Sequence, residues 1–159
     1  RNFKFWILNF EFWMLEPSSK MQVYLLSFSE SSQISTMLIM EGNPVYDKAL
    51  AFAIRVVRLY KYLNEEKQER VMSKQLLRSG TSIGANISEA QAGESAMDFV
   101  HKLAISQKEI KETQYWLTLL CKTDYITEAQ YQSMADDCHE LYKMTTSIIL
   151  STKQKIQNS

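Results

Sequence analysis

The chain has 159 residues, 45% of them hydrophobic, and its 18 basic and 18 acidic side chains give a formal charge of zero. That length suits one domain with a sizeable core, and the zero charge excludes a global field drawing the protein to nucleic acid or to a membrane. Four Gly, two Pro and eight Met, beside abundant Lys, Glu, Gln and Leu, favour an all-helical protein, and two cysteines imply no disulfide framework and suit a reducing compartment.

Residues 1–39 differ in character from the rest of the chain. Phe3, Phe5, Trp6, Phe10, Phe12, Trp13, Tyr24 and Phe28 crowd aromatics into a stretch with no helical or alternating period. The apolar run from Phe5 to Leu15 is too short to span a bilayer and carries Glu11. Arg1 and Lys4 ahead of it suggest a signal peptide, but Asn9 and Glu11 interrupt the run and no small-x-small cleavage site comes after it. The chain begins with Arg1, whereas Met40-Glu-Gly-Asn-Pro44 leads straight into a helix start. The expectation is a non-native or disordered leader over 1–39, with Met40, or else Met21 or Met37, as the natural start, and a four-helix bundle domain over 40–159.

The first helix opens with Asn43 as N-cap, Pro44 at its first position and Asp47 in the first turn. Ala49, Phe52, Val56, Leu59 and Leu63 form its core stripe. A second stripe of Leu50, Ala53, Val57 and Tyr60 makes the apolar face wider than one core needs, and the surplus suits burial against another subunit. The second helix is expected from Glu66 through Arg78-Ser-Gly-Thr-Ser-Ile-Gly-Ala-Asn-Ile-Ser-Glu-Ala90, ending near Gly93. Gly80 and Gly84 each cost about 1 kcal/mol relative to Ala inside a helix, so this thinned stretch points to a neighbouring backbone at short range.

Ser95 with Asp98 opens the third helix, whose seam reads Phe99, Leu103, Ser106, Ile110, Thr113, Leu117 and Leu120. Thr127 with Gln130 opens the fourth as a capping box, with the seam Tyr131, Met134, Cys138, Leu141, Thr145 and Ile148. Short connections favour antiparallel neighbours, so the expected architecture is all-α, an up-down-up-down four-helix bundle. Cys121 and Cys138 are expected as buried small hydrophobes, too far apart to bridge.

Three segments carry a family resemblance: Asn43-Pro-Val-Tyr-Asp47, Arg78-Ser-x-Thr-Ser-Ile-Gly-Ala-Asn-Ile-x-Glu89 and Ala104-Ile-Ser-x-Lys-Glu-x-x-Glu-Thr-x-Tyr-Trp-Leu117. Over roughly Met40 to Lys155 the chain resembles the bacterial four-helix bundle proteins, also called 23S ribosomal RNA intervening-sequence proteins. The resemblance implies an antiparallel bundle assembled as a ring-like homopentamer, with no known enzymatic activity. A related branch is the accessory protein of diversity-generating retroelements, a basic pentamer that binds nucleic acid and works with a reverse transcriptase. This chain departs from the family by Ala90, where Gly is common after the motif glutamate, and by its neutral charge.

Charge is unevenly placed. Between Lys48 and Arg78 eight basic residues stand against three acidic ones, while Glu128, Asp136, Asp137 and Glu140 precede any Lys or Arg in the fourth helix. Repeated around a ring, a basic face would add weak phosphate contacts, and Arg55, Arg58, Lys61, Arg70 and Lys74 are the candidate nucleic-acid contacts. The alternative is a solvated face whose cations dock against the acidic helix of another subunit, in a protein-binding scaffold with no nucleic-acid role. Arg78, Gly80, Gly84, Asn86 and Glu89 are candidate assembly residues: Arg78 within reach of Glu89, Glu109 or Glu112, and Asn86 as a half-buried amide fixing register.

Catalytic chemistry finds little support in the sequence. Asp98-x-x-His101 and Asp136-x-x-His139 have di-metal spacing, but both pairs flank their seams and no mid-helix carboxylate of the first helix completes a site. Cys138 and His139 point about 100° apart on a helix. Gly80 to Gly84 lacks the lysine and preceding strand of a phosphate loop. Tyr115 and Trp116 suit the core or a subunit seam. The expectation is a non-catalytic, cytoplasmic homo-oligomer without cofactor, metal or small-molecule substrate, whose partners are itself and either nucleic acid or a nucleic-acid enzyme.

Overall fold

A computed structural model of the chain describes residues 43–158, and they form four α-helices with no strand among them. The expected leader over 1–39 lies outside the described residues. The helices are α1 (Pro44–Glu65), α2 (Met72–Gln91), α3 (Ala96–Lys122) and α4 (Glu128–Gln157). α2 packs on both α1 and α3, α3 packs on α4, and α4 also meets α1.

Each helix contributes a stripe built mainly from steps of three and four, the spacing that keeps one face inward on an α-helix. In α1 it is Val45, Ala49, Phe52, Val56, Leu59 and Leu63, all buried. The α3 stripe runs Val100, Leu103, Ser106, Ile110, Thr113, Leu117 and Leu120, and that of α4 Met134, Cys138, Leu141, Thr145 and Ile149. Only the ends of the expected seams differ: Val100 replaces Phe99, Ile149 replaces Ile148, and Tyr131 is half-buried. Phe99, Val100 and Tyr131 lie at the starts of their helices, where fewer neighbouring side chains constrain the rotation, whereas Ile149 lies more than two turns before the end of α4.

Hydroxyls replace aliphatics where α2 meets α3. Thr113 Oγ1 lies 3.0 Å from Ser79 Oγ, and Ser106 Oγ donates to the Ile83 carbonyl at 3.1 Å. Side chains this short let the two helices approach closely while their buried hydroxyls stay hydrogen-bonded. Among the described residues no buried side-chain nitrogen or oxygen lacks a partner.

α1 and α2 do not join where the sequence suggests. Instead of running from Glu66, α2 starts at Met72, and Gln68 takes a positive φ of 55°. Glu69 explains the change. Its buried carboxylate accepts the backbone N–H groups of Val71 and Met72 at 2.9 Å and of Ser73 at 2.7 Å. Three of the four orphan donors of a helix start are met by one side chain, and its negative charge faces the positive end of the helix. Ser73 Oγ returns a bond to the Glu69 carbonyl at 2.8 Å and receives one from Asn64 Nδ2 at 3.1 Å, tying the turn back to α1.

The remaining starts agree with the local signals. Pro44 opens α1 directly after Asn43. Ser95 accepts the Asp98 N–H, and Thr127 with Gln130 forms a full capping box. Asp124, at φ 62°, makes the left-handed turn that ends α3.

Candidate nucleic-acid and assembly surfaces

The basic residues of α1 and α2 fall into two groups. Lys48 and Arg55 turn toward α4. Lys48 Nζ lies 2.8 Å from Asp137 and 2.5 Å from Glu140. Arg55 pairs with Asp137 and donates to Ser133, 2.7 Å from its hydroxyl and 3.3 Å from its carbonyl. Burial pulls the Arg55 guanidinium below its ordinary pKa, with the neighbouring Cys138 opposing that shift. Of the five candidate phosphate contacts, Arg55 is therefore committed within the chain, and part of the charge asymmetry is spent between α1 and α4.

The other four candidates, Arg58, Lys61, Arg70 and Lys74, are exposed. Arg58 and Lys61 lie in the second half of α1, Arg70 in the connecting turn and Lys74 in the first turn of α2, so the fold gathers them at one end. Arg70 Nη2 donates to Gln68 at 3.0 Å, and Lys67 lies 5.8 Å from the centre of the Tyr62 ring. Partial burial lowers the Arg58 pKa.

Among the candidate assembly residues, Gly80 and Gly84 have different surroundings. A Cβ placed on Gly80 would stand 2.8 Å from both γ-methyls of Val56, which is closer than real side chains approach. The same Cβ on Gly84 would meet Ala49 at an ordinary 3.7 Å. Close approach is therefore enforced at Gly80 alone, and its neighbour is α1 of the same chain. Asn86 is half-buried as expected, but its amide donates to the Ser82 carbonyl of its own helix at 2.8 Å. Glu89 pairs with Lys102 at 2.6 Å on the surface. Arg78 is exposed, and its charge opposes the upward shift that burial and Glu112 give to the Glu109 carboxyl.

The two cysteines also separate. Cys138 is buried beneath α1, and burial pushes its thiol up to about 12, against the pull of Arg55 and Lys111. At that value it is not a nucleophile near neutral pH. Cys121, expected to be buried, is half-exposed instead, and its thiol donates to Glu128 at 3.3 Å where α3 turns into α4. His101 and His139 are exposed, and among the described residues no three His, Cys, Asp or Glu side chains converge as metal ligands. No helix among the described residues is long and apolar enough to cross a membrane.

One feature has no counterpart among the sequence expectations. A shallow cleft of about 520 Å³ runs between α3 and α4, lined by Lys111, Tyr115, Thr118, Tyr131, Asp136 and His139 among others. Tyr115 is 60% exposed there and rests edge-on against Trp116, with ring centres 5.1 Å apart. Its place two residues beyond seam residue Thr113 is the signal that puts it outside the core, since each residue turns a helix by about 100°.

Known proteins add an identity to this geometry. Residues 41–147 match the family described as 23S rRNA-intervening sequence protein. The chain is similar to a solved structure from Bacteroides thetaiotaomicron, a protein with unknown function from the S23 ribosomal protein family. The two are 57% identical over 66% of this chain and 97% of that one, with a TM-score of 0.65. No curated protein matches the chain. With more than half of its length matched, the chain belongs to the 23S rRNA-intervening sequence protein family.

Proposed function

We propose that this protein is a non-catalytic homo-oligomer, a ring-like pentamer of antiparallel up-down-up-down bundles, acting in the cytoplasm as a nucleic-acid-associated accessory protein. The alternation of direction is supported by pairs whose numbers run oppositely. Gly80 faces Val56 while Gly84 faces Ala49, and Thr113 meets Ser79 while Lys102 meets Glu89. In the same sense, Cys121 meets Glu128 while Gln107 meets Thr146.

The nucleic-acid reading rests on the exposed cluster of Arg58, Lys61, Arg70 and Lys74 at the α1–α2 end. A single copy is neutral, so affinity comes from repeating this cluster around the ring, where each phosphate contact releases counterions. Binding of labelled single-stranded and duplex RNA and DNA, measured against salt, tests it. Arg58→Glu with Lys74→Glu should weaken binding and flatten the log–log salt slope by about 0.9 for each phosphate no longer neutralised. Failure of both RNA and DNA to bind at low salt would remove this reading.

A second reading, a protein-binding scaffold, is favoured by Lys48 and Arg55. Their engagement with Asp137 and Glu140 uses basic α1 and acidic α4 for helix docking rather than for phosphate. It predicts an intact oligomer that binds no nucleic acid at any salt concentration.

A further inference from the structure

In the cleft between α3 and α4, aromatic and basic side chains interleave, and helix periodicity puts them there. Lys111, Tyr115 and Thr118 recur on α3 at steps of four and three, and Gln132, Asp136 and His139 do the same on α4. Tyr115 stands two residues beyond buried Thr113 and Asp136 two beyond buried Met134, so both stripes turn outward at about 100° per residue.

Two pairs set the order along the cleft. Thr118 Oγ1 donates to the Tyr131 hydroxyl at 3.4 Å near the α3–α4 turn, and Gln107 Nε2 donates to Thr146 at 2.8 Å beyond the far end. Between them Lys111 falls level with His139, and Tyr115 with Asp136. The cation and the imidazole thus share one end, while the exposed ring and the carboxylate share the middle.

Tyr115 is held as a platform. Trp116 meets its ring edge-on, with 75° between the planes, and the indole N–H donates to Glu112 at 3.3 Å. An edge-on contact leaves at least one face of the Tyr115 ring open. A ring fixed in this way accepts a flat partner with little further loss of side-chain freedom. Gln132 Nε2 donates to Asp136 Oδ1 at 2.8 Å, which orients the carboxylate and leaves its other oxygen as an acceptor. The Lys111 ammonium lies 4.5 Å from the centre of the Tyr142 ring, a contact that steadies the cation without neutralising it.

We infer that this cleft takes one nucleotide of a single-stranded nucleic acid, with its base stacked on Tyr115 and its phosphate at Lys111 and His139. An unpaired base offers its face and its polar edge, both of which a duplex hides. Asp136 and the Gln132 amide stand beside that edge as acceptor and donor. Lys111 and Tyr115 are separated by about 6 Å along the helix axis, which matches the step from phosphate to base within one nucleotide. The Asp136 carboxylate repels phosphate from the middle of the cleft, so it fixes which end of the nucleotide lies where. The inference rests on the nucleic-acid reading above and deepens it. The cations at the α1–α2 end hold the backbone of any nucleic acid, whereas the cleft selects single strands.

Binding of a labelled single-stranded RNA and of its duplex to full-length variants tests this. Tyr115→Ala should weaken single-strand binding about tenfold, the loss of one stacked base, with its salt slope and its duplex binding unchanged. Lys111→Ala should flatten the single-strand log–log salt slope by about 0.7, the share of one phosphate. Tyr115→Phe keeps the ring and should bind as the parent does.

Tyr115→Ala that binds single strands like the parent, or that loses duplex binding equally, would overturn the inference and leave the nucleic-acid reading standing. A changed oligomeric mass for Tyr115→Ala would place the ring between copies and overturn it too. A parent that binds neither RNA nor DNA would overturn both. If circular dichroism shows Tyr115→Ala unfolded, the parent decides the matter. Bound single-stranded RNA carrying 4-thiouridine should crosslink to the cleft on irradiation, and crosslinks confined to the α1–α2 end would overturn the inference.

Discussion

The inner side of α2 and the outer side of α1 are built from similar material, small and apolar residues in helical spacing, but their surroundings are opposite. Around Gly80 the inner side of α2 is enclosed by Val56 of α1 and by Thr113 of α3, leaving no room for even a methyl group. On α1, Leu50 and its neighbours stay partly uncovered among the described residues. A thinned helix face thus accounts for close packing of α2 on α1, whereas the widened apolar face of α1 stays partly uncovered among the described residues. The glycine-rich segment sets the spacing of α1 and α2, and on the proposed homo-oligomer reading the plainer Ala49–Val57 segment is the surface left for a second copy.

Substitutions on α2 should break the enclosed side first. Gly80→Val should lower stability by about 3 kcal/mol, the upper range for overpacking a filled site, as read by urea denaturation. Gly80→Ala is the sharper probe. Its gain in helix propensity of about 1 kcal/mol should be outweighed by the clash with both Val56 methyls. In a Val56→Ala background the same change should become neutral or stabilising, and strict additivity of the two substitutions would refute the contact.

The start of α2 comes next in size. Glu69→Ala should cost about 2 kcal/mol, the high end for losing a helix cap, because three N–H groups lose their acceptor. Burial alone would raise the Glu69 pKa, but its bonds to the N–H groups of Ser73, Val71 and Met72 prevail and hold it below the ordinary carboxylate value. A carboxylate lowered by folding contributes fully above its unfolded pKa of about 4.3, and that contribution is lost as pH falls through the lower folded value. Stability of the parent protein should therefore fall on acidification below about pH 4 more steeply than that of Glu69→Gln. Parallel acid profiles for the two would contradict this role.

Smaller effects test the same contrast from the permissive side. Gly84→Ala should stabilise by up to about 1 kcal/mol, since its methyl fits beside Ala49 and the unfolded chain loses freedom. A loss of stability there would mean that both glycines are enforced. Asp124→Gly should add a few tenths of a kcal/mol by relieving the left-handed turn after α3. Both shifts are readable from thermal unfolding.

The seams were largely legible in the sequence because Leu, Ile and Val recur at steps of three and four, and burial of that pattern on one face leaves little choice. Ser95 and Thr127 were legible because their caps are local, formed with residues three positions on. The start of α2 was not. Glu66, Lys67, Gln68, Glu69 and Arg70 are good helix formers, and what interrupts them is a glutamate used as a cap, a role that helix-start signals assign to shorter side chains.

The site residues were less legible than the fold. Nothing local distinguishes Arg55 from Arg58, yet one is held by Asp137, distant in sequence, and the other is exposed. Tyr115 was placed by its aromatic character in the core or at a subunit seam, although its position two residues beyond seam residue Thr113 already turns it away from the core. The distinction between the two arginines arises only when helices from both ends of the chain are brought together.

The proposed homo-oligomer predicts that the apolar face of α1, partly exposed among the described residues, is covered by another copy of the chain. Sedimentation equilibrium on the full-length parent protein and on Leu50→Asp, at micromolar concentration, tests it most directly. A pentameric mass for the parent and a folded monomer for the variant are the expected results. A monomeric parent, or a variant that keeps the parent's mass, would contradict the claim.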